Sequence, residues 1–341
     1  MLWVKILVLI GNLSIASEPP YPGSTLFKGI TFAPASRIVR LARGSDNWPG
    51  TWGEDDRLYT AYGDGWGFEP RTEKKLSLGI ARVEGHPPDV KGVNIRTSTG
   101  ERVGQGSSGG KASGMLMVEG ALYMLVRNTG HAQLAWSTDH GKSWTWADWK
   151  FTPSFGCPTF LNFGKHYAGA RDDYVYVYSP DSDSAYRAGD RMVLCRVRKD
   201  KIRLRRAYEF FQRLDPDQKP IWTKDIKQRG GVFHHPGRCY RGGISYHPVF
   251  KRYLWCQVLP ESRHSQGPRF EGGFGIYEAP EPWGPWRTVF FTRHWDVGPG
   301  ETCSIPTKWI SADGLAAWLL FSGDDCFSLR QMKFVPASNK Q

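Results

Sequence analysis

The chain of 341 residues has six cysteines but no CxxC pair, so a zinc site of the usual thiolate spacing has no support. It has no apolar run long enough to cross a bilayer as a helix. The stretch from Ile6 to Ile15 is too short and is interrupted by Gly11, Asn12 and Ser14. It lacks a P-loop, because Gly141-Lys142-Ser143 has no upstream glycine at the required spacing. Gly104-Gln-Gly106-Ser-Ser-Gly109 fits GxGxxG, but it opens onto an apparent strand rather than a helix, which excludes a dinucleotide fold. His234-His235 has no metal-ligand spacing around it. No cofactor or metal site is therefore expected. A structural calcium in the acidic loops is compatible with the composition, but no ligand spacing marks one. Acid is also in deficit: 33 Asp and Glu stand against 45 Lys and Arg, a net charge of +12.

The sequence is rich in turn formers and rings, with 39 Gly, 23 Pro and 15 Trp. They are spread along the chain, which suits many short strands joined by turns better than long helices. At the N-terminus, Lys5, the apolar run and the small residues Ser14 and Ala16 read as a signal peptide over 1–16. The remainder, 17–341, reads as a single domain, and the mature protein is expected to be secreted or periplasmic and monomeric. Export makes disulfides permissible. Six cysteines allow 15 pairings; Cys303 and Cys326 flank a predicted hairpin and are the first pair to test, with free buried thiols the other reading. For an exported basic protein the expected partner is a polysaccharide or oligosaccharide, in particular an acidic one, rather than nucleic acid. The basic run Arg196 to Arg206 reads as a solvated outer strand and turn.

Internal repetition sets the fold. An acidic or glycine turn followed by a strand rich in Leu, Tyr or Trp recurs five times. The copies are Asp55–Tyr62, Glu119–Val126, Asp172–Tyr178, Lys251–Cys256 and Asp313–Leu320. A short apolar segment precedes each copy: Trp48–Trp52, Gly114–Val118, Pro158–Phe163, Gly242–Tyr246 and Ser304–Ile310. Another follows each: Leu76–Val83, Gln133–Ser137, Met192–Val197, Phe274–Tyr277 and Ser328–Phe334. Fourth strands are visible at Trp144–Phe151 and Trp286–Thr292. The pattern predicts an all-β fold: one β-propeller of five blades, with Ser36–Leu41 closing the ring. Ser137-Thr-Asp139-His-Gly141-Lys-Ser-Trp144 matches the Asp-box hairpin of sialidase-like propellers. Its Asp139 is structural in that motif and a poor catalytic candidate.

In a four-stranded meander, the loop leading into strand one and the loop after strand two share an edge. In a propeller that edge is one mouth of the central channel. Leading-loop residues are Asp46, Lys111, Arg238, Arg241 and Glu301; post-strand-two residues are Asp64, His131, Tyr186, Arg263, His264, Asp324 and Asp325. Asp46, Glu301 and Asp324 could supply the two carboxyl groups that hydrolysis of a glycosidic bond needs. His131, Tyr186 and Tyr240 could move protons in a β-elimination, with Arg238 and Arg241 neutralising a uronate. Trp48 and Trp66 could stack on sugar rings, and Asp64 and Tyr246 could contact substrate. Each has a plainer reading as a turn or core residue.

Several segments carry a resemblance: Ser45–Pro49, Tyr62–Phe68, Cys239–Tyr246, Pro280–Trp286 and Ser322–Asp325. In these the chain resembles a group of exported bacterial propeller proteins of unassigned function, distantly similar to five-bladed glycoside hydrolases. The resemblance implies acids at a channel mouth, and Asp46 and Glu301 match that placement by topology. Lys111 and Arg241 depart from it, standing where a hydrolase often carries a further acid. The expectation is a secreted polysaccharide-degrading enzyme, with hydrolysis ahead of lyase chemistry. A non-catalytic glycan-binding propeller is the alternative from another class.

Overall fold

A computed structural model describes residues 18–265 and 267–337. The signal-peptide expectation over 1–16 lies outside the described residues.

The described chain is built of antiparallel meanders. The first runs Gly50–Trp52, Leu58–Tyr62, Leu76–His86 and Asp89–Ile95. The second runs Lys111–Val118, Ala121–Arg127, Ala132–Ser137 and Thr145–Phe151. The third comprises Thr159–Asn162, Tyr174–Pro180, Gly189–Arg198 and Glu209–Leu214, extended by Pro220–Thr223 and by Gly231–Cys239 against the third strand. The fourth is Gly242–His247, Arg252–Val258, Phe274–Ala279 and Arg287–Thr292. The fifth is Cys303–Ser304, Ala316–Phe321 and Phe327–Pro336.

The fifth meander takes its outer strand from the start of the chain. Phe27–Phe32 pairs with Phe327–Pro336 in the register Phe27↔Pro336 to Phe32↔Met332. Val39–Leu41 continues along the same edge, with Val39 opposite Leu329. The expected closing segment Ser36–Leu41 thus supplies only the shorter part; Phe27–Phe32 supplies the rest. The expected inner segment Ser304–Ile310 is also shorter, because Pro306 ends the strand and a 3-10 turn over Thr307–Trp309 follows.

Second strands are apolar on both faces, since each sheet is covered on both sides by its neighbours. Ala121–Arg127 is buried at every position, as is Leu58–Tyr62. Leu319, fully buried between the fourth and fifth sheets, shows the energetics: truncation to Ala costs about 2–5 kcal/mol. First strands line a narrow channel of about 40 Å³, to which Thr51, Met115, Phe160, Ile244 and Ile305 each contribute from a different meander. Gly243 permits a close approach between neighbouring first strands, for a Cβ on it would lie 2.5 Å from Ser304 Cβ. The first strands of the third and fourth meanders also pair in parallel through Leu161↔Ile244 and Asn162↔Ser245.

All six cysteines are free thiols and buried. The candidate pair Cys303–Cys326 is not formed, and the other reading, free buried thiols, is the one observed. Cys303 stands opposite Phe321 and hydrogen-bonds with Cys256 of the neighbouring meander, while Cys326 Sγ donates to the Asp324 carbonyl at 3.2 Å. Among the described residues no helix is long and apolar enough to cross a membrane.

Candidate active site at the channel mouth

The loops leading into the first strands and those following the second strands meet at one end of the channel. They surround a cleft of about 560 Å³ lined by Asp46, Asp64, Lys75, Gly106, Arg269 and Asp325 among others. The local backbone explains how they gather. Asp46 bridges Gly63 through paired amide–carbonyl bonds of 2.9 and 2.8 Å, which ties the start of the first meander to its own post-strand-two loop. The amides of Gly44 and Ser45 donate to the Asp325 carbonyl at 2.8 and 3.0 Å, fastening first and fifth meanders together. Asp64 and Asp325 both have positive φ, 45° and 49°, a conformation that short acidic side chains tolerate in turns.

Asp46 is 5% exposed, and its Oδ1 has no hydrogen-bond partner. Burial, together with the nearby Glu301 and Asp64 charges, pushes its pKa up to about 6, against the pull of Lys111 and Arg127. Glu301 is the opposite case. Burial alone would raise it, but Arg241, Arg127 and Arg269 hold it below the usual carboxylate range. Its Oε2 pairs with Arg241 Nη1, and its Oε1 lies 3.6 Å from Arg269 Nη2. The same Arg269 Nη2 lies 3.9 Å from Asp46 Oδ2, and Arg269 Nη1 lies 3.3 Å from Asp325 Oδ2. One guanidinium therefore faces three carboxyl groups. Asp325 is raised, by burial first and then by Glu301 and Asp64 against the pull of Arg269 and Lys75. Asp64 pairs with Lys111 and accepts the Gly106 amide at 2.9 Å.

Of the remaining residues singled out from sequence, Tyr186 and Tyr240 flank Arg241, each ring 4.8 Å from its guanidinium. Tyr186 is 43% exposed; its hydroxyl donates to the Gly106 carbonyl at 3.1 Å and accepts from Asn128 Nδ2 at 3.2 Å. Tyr240 is buried, which makes its phenol harder to ionise. His131 stands near the rim, 3.7 Å from Asp183. Trp66 is half-buried with the Lys75 ammonium 5.0 Å from its ring.

Four candidates stand away from the cleft. Trp48 is 1% exposed and packs on Tyr62, Phe68 and Phe327, so it cannot stack on a sugar. Tyr246 packs on Phe163 and Tyr253 in the core. Arg238 pairs with Glu261 at 3.0 Å. Asp324 pairs with Arg40 at 2.9 Å and turns outward, while its neighbour Asp325 lines the cleft. Asp139 accepts the Ser143 amide at 2.9 Å and the Ser137 hydroxyl at 2.7 Å, and the Trp144 indole donates to the Gly141 carbonyl at 2.9 Å. These are bonds within one hairpin at the far end of the channel.

Arg269 and Arg127, like Lys75, had no assigned role in the sequence reading. Arg269 sits in the long loop after Arg252–Val258, where no periodicity marks it. Arg127 ends the second strand of the second meander, 1% exposed, with Nη2 3.5 Å from Asn47 Oδ1. A charge closing an otherwise apolar strand was the available signal for it.

One solved structure shares this architecture. A Bacteroides ovatus protein classed provisionally as a hydrolase aligns at 13% identity over 86% of each chain, with a TM-score of 0.51. Antiparallel meanders whose first strands surround one channel are the arrangement of a β-propeller. The GH43_1 enzyme of Xanthomonas citri aligns at 13% identity over 90% of this chain and 93% of that one, with a TM-score of 0.49. A Penicillium chrysogenum α-L-arabinanase complexed with arabinobiose aligns at 11% identity over 91% and 99%, with a TM-score of 0.44. No family model matches the chain, and no curated protein matches it by sequence. At such identities the likeness extends to the fold alone, and the reaction has to be argued from the cleft.

Proposed function

We propose that the protein hydrolyses glycosidic bonds of a polysaccharide or oligosaccharide at this cleft. In this reading the five meanders are the blades of a five-bladed propeller, the Ser137–Trp144 hairpin is an Asp-box, and the mature chain is a secreted or periplasmic monomer. The observation that carries the reading is the pair Asp46 and Glu301. Both face one guanidinium nitrogen, at 3.9 and 3.6 Å, so their facing oxygens can be no farther apart than those distances together. That upper bound admits the separation of about 5–5.5 Å found in retaining glycosidases and the lower part of the range of about 6.5–9.5 Å found in inverting ones. Their surroundings drive their protonation apart, which is how one site keeps an acid and a base at the same pH.

Asp46, protonated near pH 6, donates a proton to the leaving glycosidic oxygen. Glu301, kept ionised, acts from the other side, as base toward water or as nucleophile at the anomeric carbon. Arg269 positions both. Trp66 offers a half-buried ring at the rim for stacking. β-Elimination has less support, because Tyr240 is harder to ionise than a free phenol and His131 does not line the cleft.

The test is digestion of a panel of neutral and acidic polysaccharides, read by reducing ends and ultraviolet absorbance together. New reducing ends without unsaturated-uronate absorbance support hydrolysis. The same ends with that absorbance mean elimination, and neither signal on a bound glycan means a binding module. kcat/KM should fall as pH rises through about 6, where Asp46 ionises. A rise through that pH would reverse the two roles.

A further inference from the structure

Beside the carboxyl pair lies a group of buried guanidinium donors that the protein itself does not satisfy. Arg127 is 1% exposed, and its Nε and Nη1 have no protein acceptor. Arg241 is 3% exposed, and its Nη2 has none. Arg269 Nε is likewise without one. These charges act on one another's neighbours: Arg127 and Arg241 both bear on Glu301 and on Tyr240. Tyr186 lies across the pair, 5.3 Å from Arg127 and 4.8 Å from Arg241.

A buried charged donor left without an acceptor is costly, and three such side chains at one place favour an oxyanion. Nearby carboxylates do not remove this bias. Asp64 is taken by Lys111, Glu301 holds Nη1 of Arg241 and approaches Arg269, Asp325 also faces Arg269, and Asp46 offers no firm bond to any cation, which leaves Nη2 of Arg241 and Nε and Nη1 of Arg127 without an acceptor. Guanidinium forks match planar carboxylates and sulfate oxygens in two-point contact.

We propose that Arg127, Arg241 and Arg269 form a subsite for an oxyanion substituent on the sugar, with Tyr186 as its outer wall. The substrate class is then an acidic glycan, bearing uronate or sulfate groups. This rests on the hydrolase reading for its site but not for its test.

The test uses compounds that contain no glycosidic bond. Glucuronate, its neutral methyl ester, glucose and inorganic sulfate are titrated calorimetrically into the full chain at pH 7. Glucuronate should bind at least about 10-fold more tightly than its ester or glucose, the loss expected when a charged hydrogen-bond acceptor is removed. Sulfate should compete with it. Tighter binding of sulfate than of glucuronate assigns the subsite to sulfated sugars; the reverse assigns it to uronates. Arg269→Gln, at a partly exposed position that should not disturb folding, should abolish the preference. Arg127→Gln should do the same where circular dichroism shows it folded. Equal binding of the acid and its ester with no competition by sulfate overturns the proposal, as does a preference that survives Arg269→Gln. A protein that prefers glucuronate yet cleaves no glycan keeps the subsite and loses the hydrolase reading. One that cleaves neutral glycans and shows no preference does the opposite.

Discussion

The two mouths of the channel carry the same kinds of side chain and treat them differently. At the far mouth, Glu54 pairs with His140 at 2.6 Å and lies 3.4 Å from His166. Asp56 takes Lys308 at 2.9 Å, Lys165 at 3.9 Å and the Trp52 indole at 2.9 Å. These acids are open to water, Glu54 39% and Asp56 55% exposed at the side chain. At the cleft, the Asp46 and Glu301 side chains are 6% and 14% exposed and both face Arg269, while Arg241 is the closer partner of Glu301. Solvation makes the difference. Water screens the far mouth, so each acid simply binds a base. Its absence at the cleft lets neighbouring charges move protonation in opposite directions, the usual mark of a working site.

The comparison is broken most sharply by activity. Asp46→Asn and Glu301→Gln should each lower kcat/KM by about 10²–10⁴, the usual worth of a proton-transferring group, while Glu54→Gln leaves it unchanged. Steady-state assays on the cleaved glycan decide this, with circular dichroism as a check on folding. Loss of activity in the Glu54 variant would place the chemistry at the wrong mouth.

Stability should follow the same contrast. Arg241 is buried, and Arg241→Met strands the Glu301 carboxylate without its nearest partner. Removing one member of a buried pair costs about 3–5 kcal/mol, readable as a lower denaturation midpoint in urea. A midpoint within error of wild type would mean that Glu301 is hydrated rather than buried.

Asp46 gives a slightly smaller effect with a sign fixed by linkage. Its folded-state pKa of about 6 lies above the unfolded value, so the fold binds the proton more tightly. That contribution is complete below about pH 4 and is lost as pH rises through about 6, an amount on the order of 3 kcal/mol. Asp46→Asn cannot ionise and should flatten this part of the stability profile. At pH 8 the inactive variant should be more stable than wild type, which urea melts at pH 4, 6 and 8 would show.

Much of the fold was legible because it is periodic. Each turn-and-strand copy, from Asp55–Tyr62 to Asp313–Leu320, overlaps an observed second strand, which in the last four copies runs one or two residues further. The outer strand Phe27–Phe32 was not legible, because its partner lies at the other end of the chain and no local pattern records that pairing. At the cleft, topology placed Asp46, Asp64, Lys111, Arg241 and Glu301 on one edge, and the structure gathers them there. Side-chain direction was not available from the sequence. Asp324 and Asp325 are adjacent acids with the same backbone handedness, and only the folded loop sends one to Arg40 and the other into the cleft. Trp48 precedes a first strand as a ligand-stacking ring would, yet the neighbouring sheet covers it. Arg269 comes from an aperiodic loop, so no repeat could align it with the acids it bridges.

The smallest effect tests the other side of the comparison. Against a modest burial penalty, its own backbone amide and the His140 and His166 imidazoles hold Glu54 below the usual carboxylate range. A lowered carboxylate contributes stability above its unfolded pKa and loses it as pH falls through the folded one. The Glu54 contribution is therefore present above the carboxylate range and is lost in acid below it. Because the pair is exposed, Glu54→Gln should cost less than about 1 kcal/mol even at pH 5.5, and less again in 1 M salt. Urea melts at pH 5.5 and in the acid carboxylate range, in low and high salt, measure both dependences. A cost of several kcal/mol that salt does not reduce would mean that the far mouth is as dry as the cleft, and burial would no longer distinguish the two ends of the channel.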